Sequence, residues 1–128
     1  MTGKFTFSRE ERLRYNKHID RLFSGGKSFV MPPLKVFYLD SGEPEDQPCR
    51  VLISVPRRKF KKAVDRNRLR RLIREAYRMN SHRLMEHQVH MHIAIVYIGN
   101  TADIIYRDIE GRMSACLERL VKEVTGDG

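Results

Sequence analysis

The stretch Lys61-Lys62-Ala63-Val64-Asp65-Arg66-Asn67-Arg68-Leu69-Arg70-Arg71-Leu72-Ile73-Arg74-Glu75-Ala76-Tyr77-Arg78-Met79-Asn80 decides how the chain folds. On a wheel of about 100° per residue, Leu69, Leu72, Ile73 and Ala76 fall together, with Met79 at their edge. That spacing predicts a helix over 61–80 with one buried stripe. Arg66, Arg70, Arg74 and Arg78 form an i, i+4 row about a third of a turn from the stripe, and Asn67 and Arg71 lie just beyond it. Like charges so placed weaken an isolated helix by a few tenths of a kcal/mol per pair. A polyanionic partner would relieve that repulsion. The helix is flanked by two predicted strands, Arg50–Val55 before it and Val89–Ile98 after it. Strands joined by a helical crossover run parallel, and this requirement fixes the fold class.

Working outward, Ser8-Arg9-Glu10-Glu11 has the form of a capping box. Leu13, Asn16, Ile19, Leu22 and Phe23 follow at helical spacing, and Gly25-Gly26 stops that first helix. Ser28–Met31 reads as a short edge strand, and Leu34–Leu39 as a second strand after Pro32-Pro33. The acidic, proline-bearing segment Ser41–Pro48 is a loop. After the turn Gly99-Asn100, a final helix over about Ala102–Val124 carries Ile105, Ile109, Met113, Leu117, Leu120, Val121 and Val124 on one face. The predicted order is αβββαβα. This is an α+β fold, an α/β two-layer sandwich with a mixed four-stranded sheet. At 128 residues the chain forms one domain, with 1–7 and 125–128 as flexible ends.

Charge is concentrated in the same region. Arg57–Arg78 holds eleven Lys or Arg and two acids, so the whole net charge of +9 resides in 22 residues. A single block of this kind produces a local field suited to a polyanion. Arginine supplies a planar fork that binds phosphate bidentately and stacks on bases. Asn67 adds an amide that can hydrogen-bond a base edge or a ribose. The run Arg57-Arg58-Lys59 with Lys61-Lys62 extends the patch toward the helix N-terminus.

Other chemistries find little support. No apolar run reaches the ~18 residues that span a bilayer, and the N-terminus lacks the pattern of a secretory signal. Cys49 and Cys116 are too few and too scattered for a disulfide framework or a zinc site, which suits a reducing, cytoplasmic setting. Gly26-Lys27-Ser28 imitates the end of a P-loop, but Arg21 stands where the first glycine is needed. His82, His87, His90 and His92 have no supporting cysteine or carboxylate at a ligand spacing. Neither paired carboxylates nor a nucleophile–base arrangement stands out, so no catalytic or metal-binding residue is assigned.

Val64-Asp65-Arg66-Asn67-Arg68-Leu69-Arg70-Arg71-Leu72-Ile73-Arg74-Glu75, preceded by Val55 and the basic run Arg57–Lys62, resembles the signature of the bacterial ribonuclease P protein component. The element order agrees over most of the chain. The resemblance implies a ribosomal protein S5 domain 2-like fold and a subunit of a ribonucleoprotein endonuclease. By the same resemblance a catalytic RNA, with Mg²⁺ ions that it requires, would remove the 5′ leader of precursor tRNA, and no cofactor is assigned to the protein itself. The implied partners are that RNA and precursor tRNA, with no membrane and no obligate protein partner. Carried over by position, Arg66, Asn67, Arg68, Arg70, Arg71 and Arg74 match the motif that faces the catalytic RNA, and with Arg57, Arg58, Lys59, Lys62 and Arg78 of the basic block they make up the expected RNA-binding surface. Phe23 and Phe37 fall where the family places aromatics for the single-stranded leader, with Ile19 and Lys35 beside them. Strand parity agrees, since Lys35 and Phe37 share the face opposite Leu34, Val36 and Tyr38. Two positions depart from the pattern. Ile19 stands where the family usually has phenylalanine, and the glycine common ahead of the motif helix is absent from 59–63.

The residues alone fit two readings: an accessory subunit of an RNA-based endonuclease, or a non-enzymatic RNA-binding module of ribosomal or chaperone type. The motif helix and the element order favour the first. Arg66→Ala or Arg70→Ala is expected to weaken RNA binding and flatten its salt dependence.

Overall fold

In the computed structural model, residues 22–40, 49–86 and 91–125 are described. Their elements are α1 (22–25, a helical end), β1 (Lys27–Met31), β2 (Leu34–Asp40), β3 (Arg50–Ser54), α2 (Ala63–Asn80), α3 (His82–Glu86), β4 (Met91–Tyr97) and α4 (Tyr106–Thr125). The predicted capping box at Ser8, the loop 41–48 and most of the first helix, including Ile19, lie outside the described residues.

The four strands form one sheet in the order β1-β2-β4-β3. β1 and β2 pair antiparallel across the Pro32-Pro33 turn, whose peptide bond is cis. β2 and β4 are also antiparallel, from Leu34↔Tyr97 to Asp40↔Met91. β3 and β4 are parallel, from Arg50↔His92 to Ser54↔Val96. The mixed sheet expected from the helical crossover is therefore present.

Alternation along the strands sorts side chains between two faces. Phe29, Val36, Tyr38, Val51, Ile93, Ile95 and Tyr97 join a core with Leu69, Ile73, Ala76 and Tyr77 of α2 and Ile109, Met113, Leu117 and Leu120 of α4. The opposite face carries Phe37, Leu39, Leu52 and Ala94, against which Leu22 of α1 is packed. Cys116 belongs to the α4 core. Burial pushes its thiol up to about 11, so at neutral pH it is a protonated packing group.

Three expectations need correction. The last helix begins at Tyr106 rather than Ala102. Residues 101–104 have competing partners: the Asp103 N–H donates to Thr101 Oγ1 at 3.1 Å, and Arg68 holds the carbonyls of Ala102 and Ile104. Such local bonds offer the backbone an alternative to the helix. Ile105 consequently leaves the apolar face and is 53 % exposed, while Val124, in the last turn, is also exposed. The second correction is α3, which the pattern did not suggest. Leu84 anchors it in the core, and its N–H donates to the Ser81 carbonyl at 3.0 Å.

The third correction concerns the buried stripe of α2, which turns toward the arginine row. Its buried residues are Arg66, Leu69, Ile73, Ala76, Tyr77 and Asn80. Leu72 is only half-buried and Met79 is exposed. Positions 66, 69, 73, 76 and 80 alternate steps of three and four, the seam expected where one helix lies along another. Here the other helix is α4. Asn80 Nδ2 crosses to it, donating to Glu110 Oε2 at 3.0 Å and to the Ala76 carbonyl at 2.8 Å.

Gly111 sits in the interior of α4, exposed, and an added Cβ would meet nothing within 4 Å. Gly111→Ala is expected to raise stability by about 0.5–1 kcal/mol, by reducing the freedom of the unfolded chain. Urea unfolding measures this directly, and an unchanged or lowered midpoint would contradict it.

Candidate nucleic-acid interface

The basic block divides between the turn before α2 and the helix itself. Residues 56–60 are closed by the Phe60 N–H, which donates to the Pro56 carbonyl at 3.1 Å. The Phe60 ring packs against Tyr97, centroids 5.7 Å apart, so the turn is pinned to the core from below. Arg57 and Arg58 project from its outer side, exposed. Lys59 instead reaches across to the turn after β4, donating from Nζ to the Ile98 carbonyl at 3.2 Å and to Asn100 Oδ1 at 3.0 Å.

On α2 the four-arginine row is not one open face. Arg66 is 8 % exposed, and its Nη1 donates to the carbonyls of Phe60 and Lys61, each at 2.8 Å. Helix geometry explains why. An i, i+4 row advances about 40° per step, so a row that starts on the buried seam has left it two steps later. Arg70 is half-buried and donates to Asn67 Oδ1 at 3.0 Å. Arg74 is exposed. Arg78 makes an ion pair with Glu75, its Nε donating to Oε2 at 2.9 Å, and this hydrogen bond holds the Glu75 carboxyl below the usual range. The signal for Arg66 was present in the sequence, since it lies three residues before Leu69 and seven before Ile73.

Arg68, half-buried, opens its fork on the backbone, Nη1 to the Ala102 carbonyl and Nη2 to the Ile104 carbonyl at 2.8 Å. Asn67, between the two bracing arginines, is exposed, as is Arg71. The side chains of Arg57, Arg58, Lys61, Lys62, Arg71 and Arg74 make no hydrogen bond or ion pair with another described residue. Lys62 is the N-cap of α2 in extended conformation, with no side-chain cap, and its carbonyl accepts from the Asp65 and Arg66 N–H groups. Four solvated cations beside the start of α2, with Arg71 and Arg74 further along the helix, form a field that attracts phosphate.

A second surface lies on the open face of the sheet. Phe37 shares it with Lys35, whose Nζ is 4.9 Å from the Phe37 ring centroid. Phe23, 42 % exposed, meets Phe37 edge-on, with centroids 4.7 Å apart and an interplanar angle of 67°. The structure thus brings Phe23, Lys35 and Phe37 together. Its floor is Leu22, Leu39, Leu52 and Ala94, which were not singled out as site residues. Alternation within β3 and β4 could have found them, because Leu52 and Ala94 point away from Val51, Ile53, Ile93 and Ile95. Gly26 makes the seat possible. Its N–H donates to the Leu22 carbonyl at 3.0 Å, and α1 ends there in close contact with β2.

Among the described residues no three or more His, Cys, Asp or Glu gather as a metal site would require. No described helix is long and apolar enough to cross a membrane.

Fold and site together define a small basic α+β protein, with a cationic crossover helix on one side of its sheet and an aromatic open face on the other. The family model described as Ribonuclease P matches residues 7–121. The chain belongs to this family. It is 37% identical to the ribonuclease P protein component of Porphyromonas gingivalis, over 97% of this chain and 94% of that protein. Against the corresponding protein of Clostridioides difficile it is 31% identical, over 88% of this chain and 94% of that one. Among solved structures, the RNase P protein of Staphylococcus aureus aligns with a TM-score of 0.71 at 22% identity, covering 86% and 94% of the two chains. That of Thermotoga maritima aligns with a TM-score of 0.71 at 24% identity, covering 85% and 96%. At these identities the structural matches speak for the fold.

Proposed function

We propose that this chain is the protein subunit of ribonuclease P. It binds the catalytic RNA and the 5′ leader of precursor tRNA, and so assists endonucleolytic release of the leader. Family membership over residues 7–121 carries the reading. The two surfaces support it on chemical grounds. Arg57, Arg58, Lys62, Arg70, Arg71 and Arg74, with Asn67, offer phosphate and ribose contacts on the crossover side. Phe37 offers a face for a base, Lys35 a cation for its phosphate, and Phe23 the rim of the cleft. In this division of labour the catalytic RNA would hold the Mg²⁺ ions and supply the chemistry at the scissile bond of the precursor tRNA. The protein lowers the repulsion between two polyanions and holds the leader extended.

The test is reconstitution. Adding the protein to a bacterial ribonuclease P RNA at low Mg²⁺ is expected to stimulate cleavage of precursor tRNA at the mature 5′ end, and the protein alone is expected to cleave nothing. Absence of stimulation would sink the proposal, and cleavage by the protein alone would move the active site into this chain.

A further inference from the structure

We infer that Arg66 is a positioning residue: it shapes the cationic turn 56–62 for RNA and does not itself bind phosphate. Arg68 acts in the same way from the other side. The inference rests on the proposed RNA-binding role and assigns labour within it.

Three observations carry it. First, both hydrogens of Arg66 Nη1 are taken, one by the Phe60 carbonyl and one by the Lys61 carbonyl, and the residue is 8 % exposed. A phosphate seeking that edge would have to displace two charge-assisted bonds to backbone oxygens that have no helical donor, since they precede the first turn of α2. Second, those oxygens belong to the segment that displays Arg57, Arg58, Lys61 and Lys62. Without Arg66 the Phe60 and Lys61 carbonyls lose this donor, and the turn is left with the Phe60 N–H bond to Pro56, the Phe60 ring against Tyr97, the Lys59 tether and the helix-start bonds to the Lys62 carbonyl. Third, the tether's anchor is itself held. Lys59 ends on Ile98 and Asn100, the Tyr97 hydroxyl donates to the Thr101 carbonyl at 2.6 Å, and the Arg68 fork closes on Ala102 and Ile104. The outer arginines of Arg66-Asn67-Arg68 therefore face backbone carbonyls at the approaches to the two long helices. Only Asn67 between them is exposed to a partner.

The mechanism is preorganisation. Cations fixed in one arrangement reach several phosphates without first losing conformational freedom, whereas cations on a loose turn must be ordered at the moment of binding.

A double-mutant cycle separates positioning from contact, with binding to a bacterial ribonuclease P RNA measured at low salt. The four proteins are wild type, Arg66→Met, the loop-neutral Arg57→Gln/Arg58→Gln/Lys61→Gln/Lys62→Gln, and their combination. Methionine keeps the buried stem and removes the donors. Arg66→Met is expected to weaken binding about tenfold, a coupling ordinary for residues sharing one network, and to cost almost nothing in the loop-neutral background. An equal loss in both backgrounds would overturn the positioning role while leaving RNA binding intact. If the loop-neutral protein binds as wild type does, the RNA-binding assignment of this surface falls, and the inference with it. A measurement on the wild-type protein covers a variant that does not fold. In side-chain NMR, the Arg66 guanidinium is expected to be protected from exchange in the free protein and unmoved by RNA, while Arg71 and Arg74 shift. A large RNA-induced shift at Arg66 would overturn the inference.

Discussion

Gly26→Ala is expected to lower stability by about 3 kcal/mol, the upper end of what overpacking a closely fitted site costs. A Cβ at this position would lie 2.4 Å from the Leu22 carbonyl oxygen and 2.8 Å from that of Tyr38. Both are backbone atoms, so no side chain can swing aside. Either α1 lifts from the sheet or β2 bends. The consequence reaches the proposed function, because the same α1 end carries Leu22 into the open-face cluster and sets Phe23 against Phe37. Gly25 is the control: an added Cβ there meets nothing within 4 Å, so Gly25→Ala is expected to change stability little. Chemical unfolding of both variants measures the difference. Equal midpoints would show that α1 does not seat on β2 as described.

Phe37→Ala is expected to reduce affinity for leader-bearing precursor tRNA by about 1–3 kcal/mol, the range for losing one base–aromatic stack. That is roughly a 5- to 150-fold weakening. Phe37 is half-buried, with the Phe23 edge on one side and Lys35 Nζ at 4.9 Å from its centroid. A base that stacks on its free surface places its phosphate near that ammonium. Affinity for mature tRNA, which has no leader, should change little. Competitive binding of the two RNAs to the reconstituted holoenzyme distinguishes them. Equal losses for both would mean that Phe37 serves only to pack the sheet.

The element order apart from α3, and the parallel β3–β4 pair, could be derived from periodicity because each rests on local pattern: alternation in strands, helical spacing in 61–80, and a crossover too long for a hairpin. The shared face of Lys35 and Phe37 followed from strand parity for the same reason. The boundaries that failed were those decided by partners distant in the chain. Ala102–Ile105 has helical-looking residues, yet Arg68, 34 positions earlier for Ala102, takes its carbonyls. Leu72 and Met79 fit the apolar stripe, but the seam of α2 is set by where α4 lies, and α4 favours Tyr77 and Asn80.

The arginines of the quoted stretch show both sides of this division. Their number, their concentration of all +9 charges in 22 residues and their helical register are properties of the sequence alone, because composition and spacing do not depend on packing. Which of them meet solvent was decided only in the tertiary structure. An arginine can satisfy its donors with phosphate, with a carboxylate or with backbone carbonyls. Arg71 and Arg74 remain open, Arg78 takes Glu75, and Arg66 and Arg68 take carbonyls brought to them by the turn before α2 and the loop before α4.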